Sequence, residues 1–156
     1  MADEVEYIPS DHLVSRHIDL PYRYTKDKDL IWEAVFMFKD NKGESLVWRK
    51  YKPTIEEVHD LGCSQEARKK PQKPDYRYVG AITALVQDIR NEVSGRGATF
   101  RVEHHPENDQ GVYHAEIWPC PKEGAQLKSN DRADLRVMLK NRFKPREEHA
   151  CSPAKG

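Results

Sequence analysis

No stretch of this 156-residue chain approaches the ~18 consecutive apolar residues that a membrane-spanning helix requires. The opening segment MADEVEYIPSD is acidic where a secretion signal would carry an apolar core. A chain away from membranes, in the cytosol, is the expectation. Net charge is lacking too, because 26 Lys and Arg balance 26 Asp and Glu. Without a global positive field a polyanion is not concentrated at the surface, so nucleic acid is a less favoured partner than protein. Cysteine is scarce: Cys63, Cys120 and Cys151 are odd in number, widely spaced and without a CxxC pair. That pattern points to reduced thiols, with neither a disulfide framework nor a closed zinc site. Cys63 reads as a buried or helix-end thiol, the one nearby imidazole being His59 four residues earlier. Also missing are GxGxxG, GxxxxGK[ST], HExxH and GxSxG, which removes local support for dinucleotide, P-loop, zincin and α/β-hydrolase chemistry. No internal repeat is present.

What the chain does have is enough bulk for one core. Hydrophobic residues make up 37% against 33% charged, and three Trp, seven Tyr and four Phe supply large groups for burial. Length and composition predict a single globular domain over 11–145, with flexible tails at 1–10 and 146–156 whose few apolar groups cannot offset the entropy of ordering them. Val14, Ile18 and Leu20 share a phase and predict a strand over 12–20. Leu30 to Phe38 and Glu44 to Tyr51, either side of Asp40-Asn41-Lys42-Gly43, read as a hairpin whose first strand is apolar on both faces. Thr54 and Glu57 form a capping box for a short helix that Gly62 would stop. Residues 64–75, with two prolines and Arg68, Lys69, Lys70 and Lys73, read as an exposed basic connection. From Tyr76 onward, Tyr78, Ile82, Leu85, Ile89 and Val93 recur at helical spacing and predict a helix ending near Gly95 or Gly97. A last helix, capped by Ser129 or Asn130, carries Leu135, Leu139 and Phe143 and stops before Pro145. The predicted order β-β-β-α-α-β-β-α favours an α+β fold, an antiparallel or mixed sheet from two or more hairpins packed on two to three helices.

Chemistry gathers in Ala98 to Trp118, ATFRVEHHPENDQGVYHAEIW, where two alternating runs flank a turn-forming segment. If Phe100 and Val102 face the core, Arg101, Glu103 and His105 share the opposite surface with His114, Glu116 and Trp118 of the return strand. His105, His114 and Glu116 could offer N and O donors to a divalent metal. His105 and His114 could instead form a proton-transfer pair for phosphodiester hydrolysis, with Arg101 on the phosphoryl charge and Glu103 or Glu116 orienting an imidazole. The plainer reading of the same residues is a polar outer face joined by cross-strand pairs. A second constellation, Trp48, Arg49 and Tyr51, places aromatic and cationic groups on one strand as base-stacking sheets do, though Trp48 reads equally as core.

Two functions follow. The first is a small interaction or accessory protein that engages another macromolecule through the exposed sheet face or the basic 66–75 loop, with no cofactor. The second is a hydrolase of a phosphodiester or similar ester built on Arg101, Glu103, His105, His114 and Glu116, with a divalent metal as the compatible cofactor. Enzymatic activity and oligomeric state are left open by the sequence.

Overall fold

Side chains on both faces of the strand Leu13–Leu20 (β1) are buried, among them Ser15, Arg16, His17 and Asp19, as expected of a strand at the centre of a sheet with layers on either side. The computed structural model of the chain describes residues 7–25, 29–38, 44–49, 54–105 and 113–151. Around β1 the elements run Tyr24–Thr25 (β2), Asp29–Leu30 (β3), Trp32–Val35 (α1), Glu44–Arg49 (β4), Ile55–Lys69 (α2), Arg77–Leu85 (β5), Val86–Arg90 (α3), Thr99–His104 (β6), His114–Cys120 (β7), Ser129–Arg142 (α4) and Glu147–Glu148 (β8). Six strands form one antiparallel sheet in the order β6-β7-β4-β1-β5-β8, and β2 pairs with β3 separately. The fold is α+β.

Register divides the sheet into two faces. Val14 of β1 lies opposite Trp48 of β4 and Ala84 of β5, and this side carries the main core of Val14, Ile18, Leu46, Ile82, Phe100, Val102 and Ile117. The helices α1, α3 and α4 pack here, with Leu135, Leu139 and Phe143 of α4 buried at the spacing the sequence predicted. Arg136 of α4 donates to the carbonyls of Phe36 and Met37 at 2.7 and 2.8 Å, tying α4 to the end of α1. On the other side Val58 and Ile55 of α2 meet Val47 and Ala81, and Ser15 and Thr83 share a 2.7 Å hydrogen bond.

Several expectations are corrected. The run Leu30 to Phe38 forms no hairpin strand; it passes through β3 and the single turn of α1, while β4 pairs with β1 and β7. A continuous apolar run does not reveal its period, so a buried helical turn and a doubly buried strand look alike. The helix expected from Tyr76 is β5 followed by the five-residue α3, and its stripe at helical spacing arises because both faces of β5 are apolar. Gly62 does not stop α2, which runs on to Lys69 and takes in half of the predicted loop. A Cβ at Gly62 would stand 2.5 Å from the Tyr78 ring, so the glycine serves the close approach of α2 to β5. The Thr54–Glu57 capping box forms as read.

The thiols of Cys63 and Cys151 are not both free: they form a disulfide across 88 residues of sequence, a pairing that no local spacing announces. The ends expected as arms are described at 7–10 and 146–151. There Ile8 is wholly buried, β8 pairs with Gly80 and Ala81, and the disulfide joins Cys151 to α2.

Candidate functional site

The β6–β7 hairpin assembles most of the predicted cluster. Arg101 lies opposite Trp118, and Glu103 opposite Glu116; the His105 amide then donates to the His114 carbonyl at 2.9 Å. With Phe100, Val102, Ala115 and Ile117 turned into the core, the alternation of strand side chains places Arg101, Glu103, His105, Glu116 and Trp118 on the outer face. Helix α2 packs on β1 and β5, leaving the hairpin end of this face open among the described residues. The side chains of Arg101, Glu103 and His105 keep 56%, 37% and 33% of their area exposed. They are linked: His105 Nε2 stands 3.4 Å from Glu103 Oε1 and 3.9 Å from Glu116 Oε1. Trp118 Nε1 donates to Glu116 Oε1 at 3.0 Å, and the Arg101 guanidinium lies 5.5 Å from the centre of the Trp118 ring. Tyr113 is exposed at the start of the return strand.

His114 does not join them. Its ring is buried, with Nδ1 2.6 Å from the His105 carbonyl and Nε2 3.2 Å from Ser45 Oγ. A carbonyl only accepts, so Nδ1 donates to it, and with Nε2 hydrogen-bonded to the Ser45 hydroxyl the ring pins the hairpin to β4. The two histidines therefore do not face one reacting point, and His105, His114 and Glu116 are not gathered around one ion.

No protein family, curated protein or solved structure matches this chain.

The second predicted constellation separates. Trp48 packs against the main core, donates from Nε1 to His12 Nδ1 at 3.0 Å, and meets His104 edge to face at 4.9 Å. Arg49 points to the other face, 3.4 Å from both Ser15 Oγ and Thr83 Oγ1. Tyr51 lies outside the described residues. In the expected basic connection, Lys69 and Lys73 lay their ammonium groups over Tyr76 and Tyr22 at 4.9 and 5.1 Å, and Lys70 pairs with Glu66 at 3.7 Å.

A histidine-rich seam between α2, β1, β5 and the end of the chain was not foreseen. His17 Nε2 donates to the Val58 carbonyl at 2.9 Å, and burial holds this imidazole down to about 4. His59 Nδ1 and the Tyr78 hydroxyl are 2.7 Å apart. Burial lowers the His59 pKa, with His149 adding to the effect, and burial raises that of Tyr78, with Glu147 adding. The rings of His59 and His149 stack at 4.3 Å and 8°, beside Cys63 and Cys151. The sequence held a trace of this seam: His59 and Cys63 sit four apart on one helix, and His149 and Cys151 two apart on an extended segment. Only the tertiary fold joins the two pairs.

Proposed function

We propose that the chain is a binding module that captures another protein through the open outer face of the β6–β7 hairpin. The observation that carries this reading is the Arg101–Trp118 pair, its guanidinium end more than half exposed and its indole partly so, beside the linked Glu103, His105 and Glu116. Arg, Trp and Tyr are the residues most often responsible for binding energy at protein interfaces, where a polar rim surrounds them. The two carboxylates among them argue for a protein surface and against a phosphate backbone. Use of the edge of β6 by an added strand has less support, because Arg90 Nη2 already donates to the outward-facing Val102 carbonyl at 2.9 Å. The hydrolase reading has less support as well: with both His114 nitrogens engaged inside the sheet, only His105 is offered to a substrate. A cytoplasmic setting belongs to the proposal, and there reductants hold most cysteine pairs as thiols.

The test is affinity capture with three forms of the chain: unaltered, Arg101→Glu with Trp118→Ala, and Val137→Asp on the far side as a control. A specific partner should be recovered with the unaltered and control forms. Its affinity for the face variant, measured with the purified pair, should fall by at least about thirtyfold, the loss expected when a hot spot is removed. Equal affinity for all three forms would overturn the proposal.

A further inference from the structure

Cys63 on α2 and His149 and Cys151 beyond β8 bring two sulfurs and an imidazole nitrogen within 4.8 Å of one another, the one such group of potential ligands among the described residues. We propose that the Cys63–Cys151 disulfide is one of two states of a metal site, and that in the dithiol state Cys63, Cys151 and His149 bind one Zn²⁺.

The three donors come from elements held in place independently of the disulfide. Cys63 lies inside the fifteen-residue α2, capped at Thr54 and packed against β5 and β1. The opposite side is fixed by the pairing of β8 with Gly80 and Ala81. Past β8 the His149 amide donates to the Val79 carbonyl at 3.2 Å, and Arg146 donates to the same oxygen. The His149 ring is laid flat on His59, which Tyr78 holds through Nδ1. With zinc bonds of about 2.3 Å to sulfur and 2.0–2.1 Å to nitrogen in a tetrahedron, the two sulfurs, bonded to each other in the disulfide, would part to about 3.7 Å once reduced, and the imidazole nitrogen, already within 4.8 Å of both, would close in by roughly 1 Å. Two thiolates and an imidazole favour Zn²⁺ over the hard cations Mg²⁺ and Ca²⁺, and water completes the tetrahedron.

The two states exclude each other, since the ion needs both sulfurs as thiolates. A phosphine and water supply the change: the S–S bond breaks, each sulfur ends with one hydrogen, and the phosphine becomes its oxide. Zn²⁺ then displaces one proton from each thiol. In the reverse direction a small-molecule disulfide takes up the two electrons and two protons from solvent and leaves as two thiols, while the Cys63–Cys151 bond re-forms and the ion is released. The site is separate from the hairpin face, so neither proposal depends on the other.

The experiment is an anaerobic titration of the full chain with Co²⁺ and then Zn²⁺, before and after reduction by tris(carboxyethyl)phosphine. The reduced chain should bind one Co²⁺ with a thiolate-to-cobalt charge-transfer band that Zn²⁺ abolishes, and the oxidised chain should bind none. Cys63→Ser and Cys151→Ser should lose the band, whereas Cys120→Ser should keep it. His149→Gln retains the disulfide, so its fold can be verified in the oxidised state. Once reduced, it should bind Co²⁺ more weakly by more than the roughly 10–100-fold that loss of a mere outer-shell partner costs. If reduction alone melts the circular-dichroism signal, recovery of that signal by Zn²⁺ supports the site. No charge-transfer band in the reduced chain, a band lost with Cys120, or unchanged affinity in His149→Gln overturns it.

Discussion

Whether a histidine works or merely holds structure is decided by what its two nitrogens touch, and three histidines here illustrate the range. His105 is one-third exposed between two carboxylates, His114 is locked by a carbonyl and a hydroxyl, and His17 is buried beneath α2. His17 carries a pH prediction. Its imidazole has an ordinary value of 6.5 and is held to about 4 in the fold, burial being the main cause. The unfolded chain therefore binds more protons between these values. The stability His17 contributes is complete above pH 6.5 and is lost as the pH falls toward 4. The shift corresponds to about 3 kcal/mol, at 1.36 kcal/mol per unit. Urea unfolding between pH 7 and 4 should show this loss in the unaltered chain, and His17→Gln, whose amide can still donate to the Val58 carbonyl, should lose less by about that amount. Parallel pH profiles for the two would refute the assignment. At Arg101, by contrast, more than half of the side chain is in water, so Arg101→Glu should change stability by no more than about 0.5 kcal/mol.

Among the elements, β5 places the strictest demands on its neighbours. Gly80 has φ +132, and a Cβ there would stand 2.1 Å from the Glu147 carbonyl of β8. Gly80→Ala should cost about 1–3 kcal/mol, combining backbone strain with displacement of β8. Native-state amide exchange at 147–149 should quicken more than exchange within α4; equal protection in both would contradict the role given to this glycine. This strand also marks where the sequence was hardest to read. Tyr78, Ile82 and Leu85 fit a helical period because Arg77–Leu85 is buried on both faces, which erases the alternation that announces a strand. The β6–β7 hairpin was legible because its outer face is open: Arg101 and Glu103 alternate with Phe100 and Val102, and only one register buries the apolar set. The same alternation put His114 on the outer face, and Ser45 on the neighbouring strand, invisible to local pattern, made it a buried anchor. The buried stripe of α4 was legible, since Leu135, Leu139 and Phe143 meet the core together, but its start was not: Lys128, rather than Ser129 or Asn130, stands at the N-cap.

At the scale of the whole molecule, one face of the sheet carries two regions of different chemistry: a hairpin end of Arg, Trp, Glu and His, and, where α2 packs, a seam of His, Tyr and Cys closed by the disulfide. The Cys63–Cys151 link closes a loop of 88 residues' separation, which constrains the unfolded chain by roughly 4–5 kcal/mol in the loop-entropy description. Reducing the metal-free chain should lower its urea-unfolding free energy by about that amount; an unchanged midpoint would mean that the link adds nothing to the fold. Nothing local could have revealed the pairing, because Cys151 lies in a polar segment whose burial depends on β8 meeting β5. The hairpin face remains the centre of the functional proposal, and hydrogen–deuterium exchange of the chain, alone and bound to the protein recovered by capture, tests it most directly. Slowed exchange over 99–105 and 113–120, with α4 unchanged, is the expected result. Protection confined to α4 or to α2, with the hairpin exchanging as in the free chain, would contradict it.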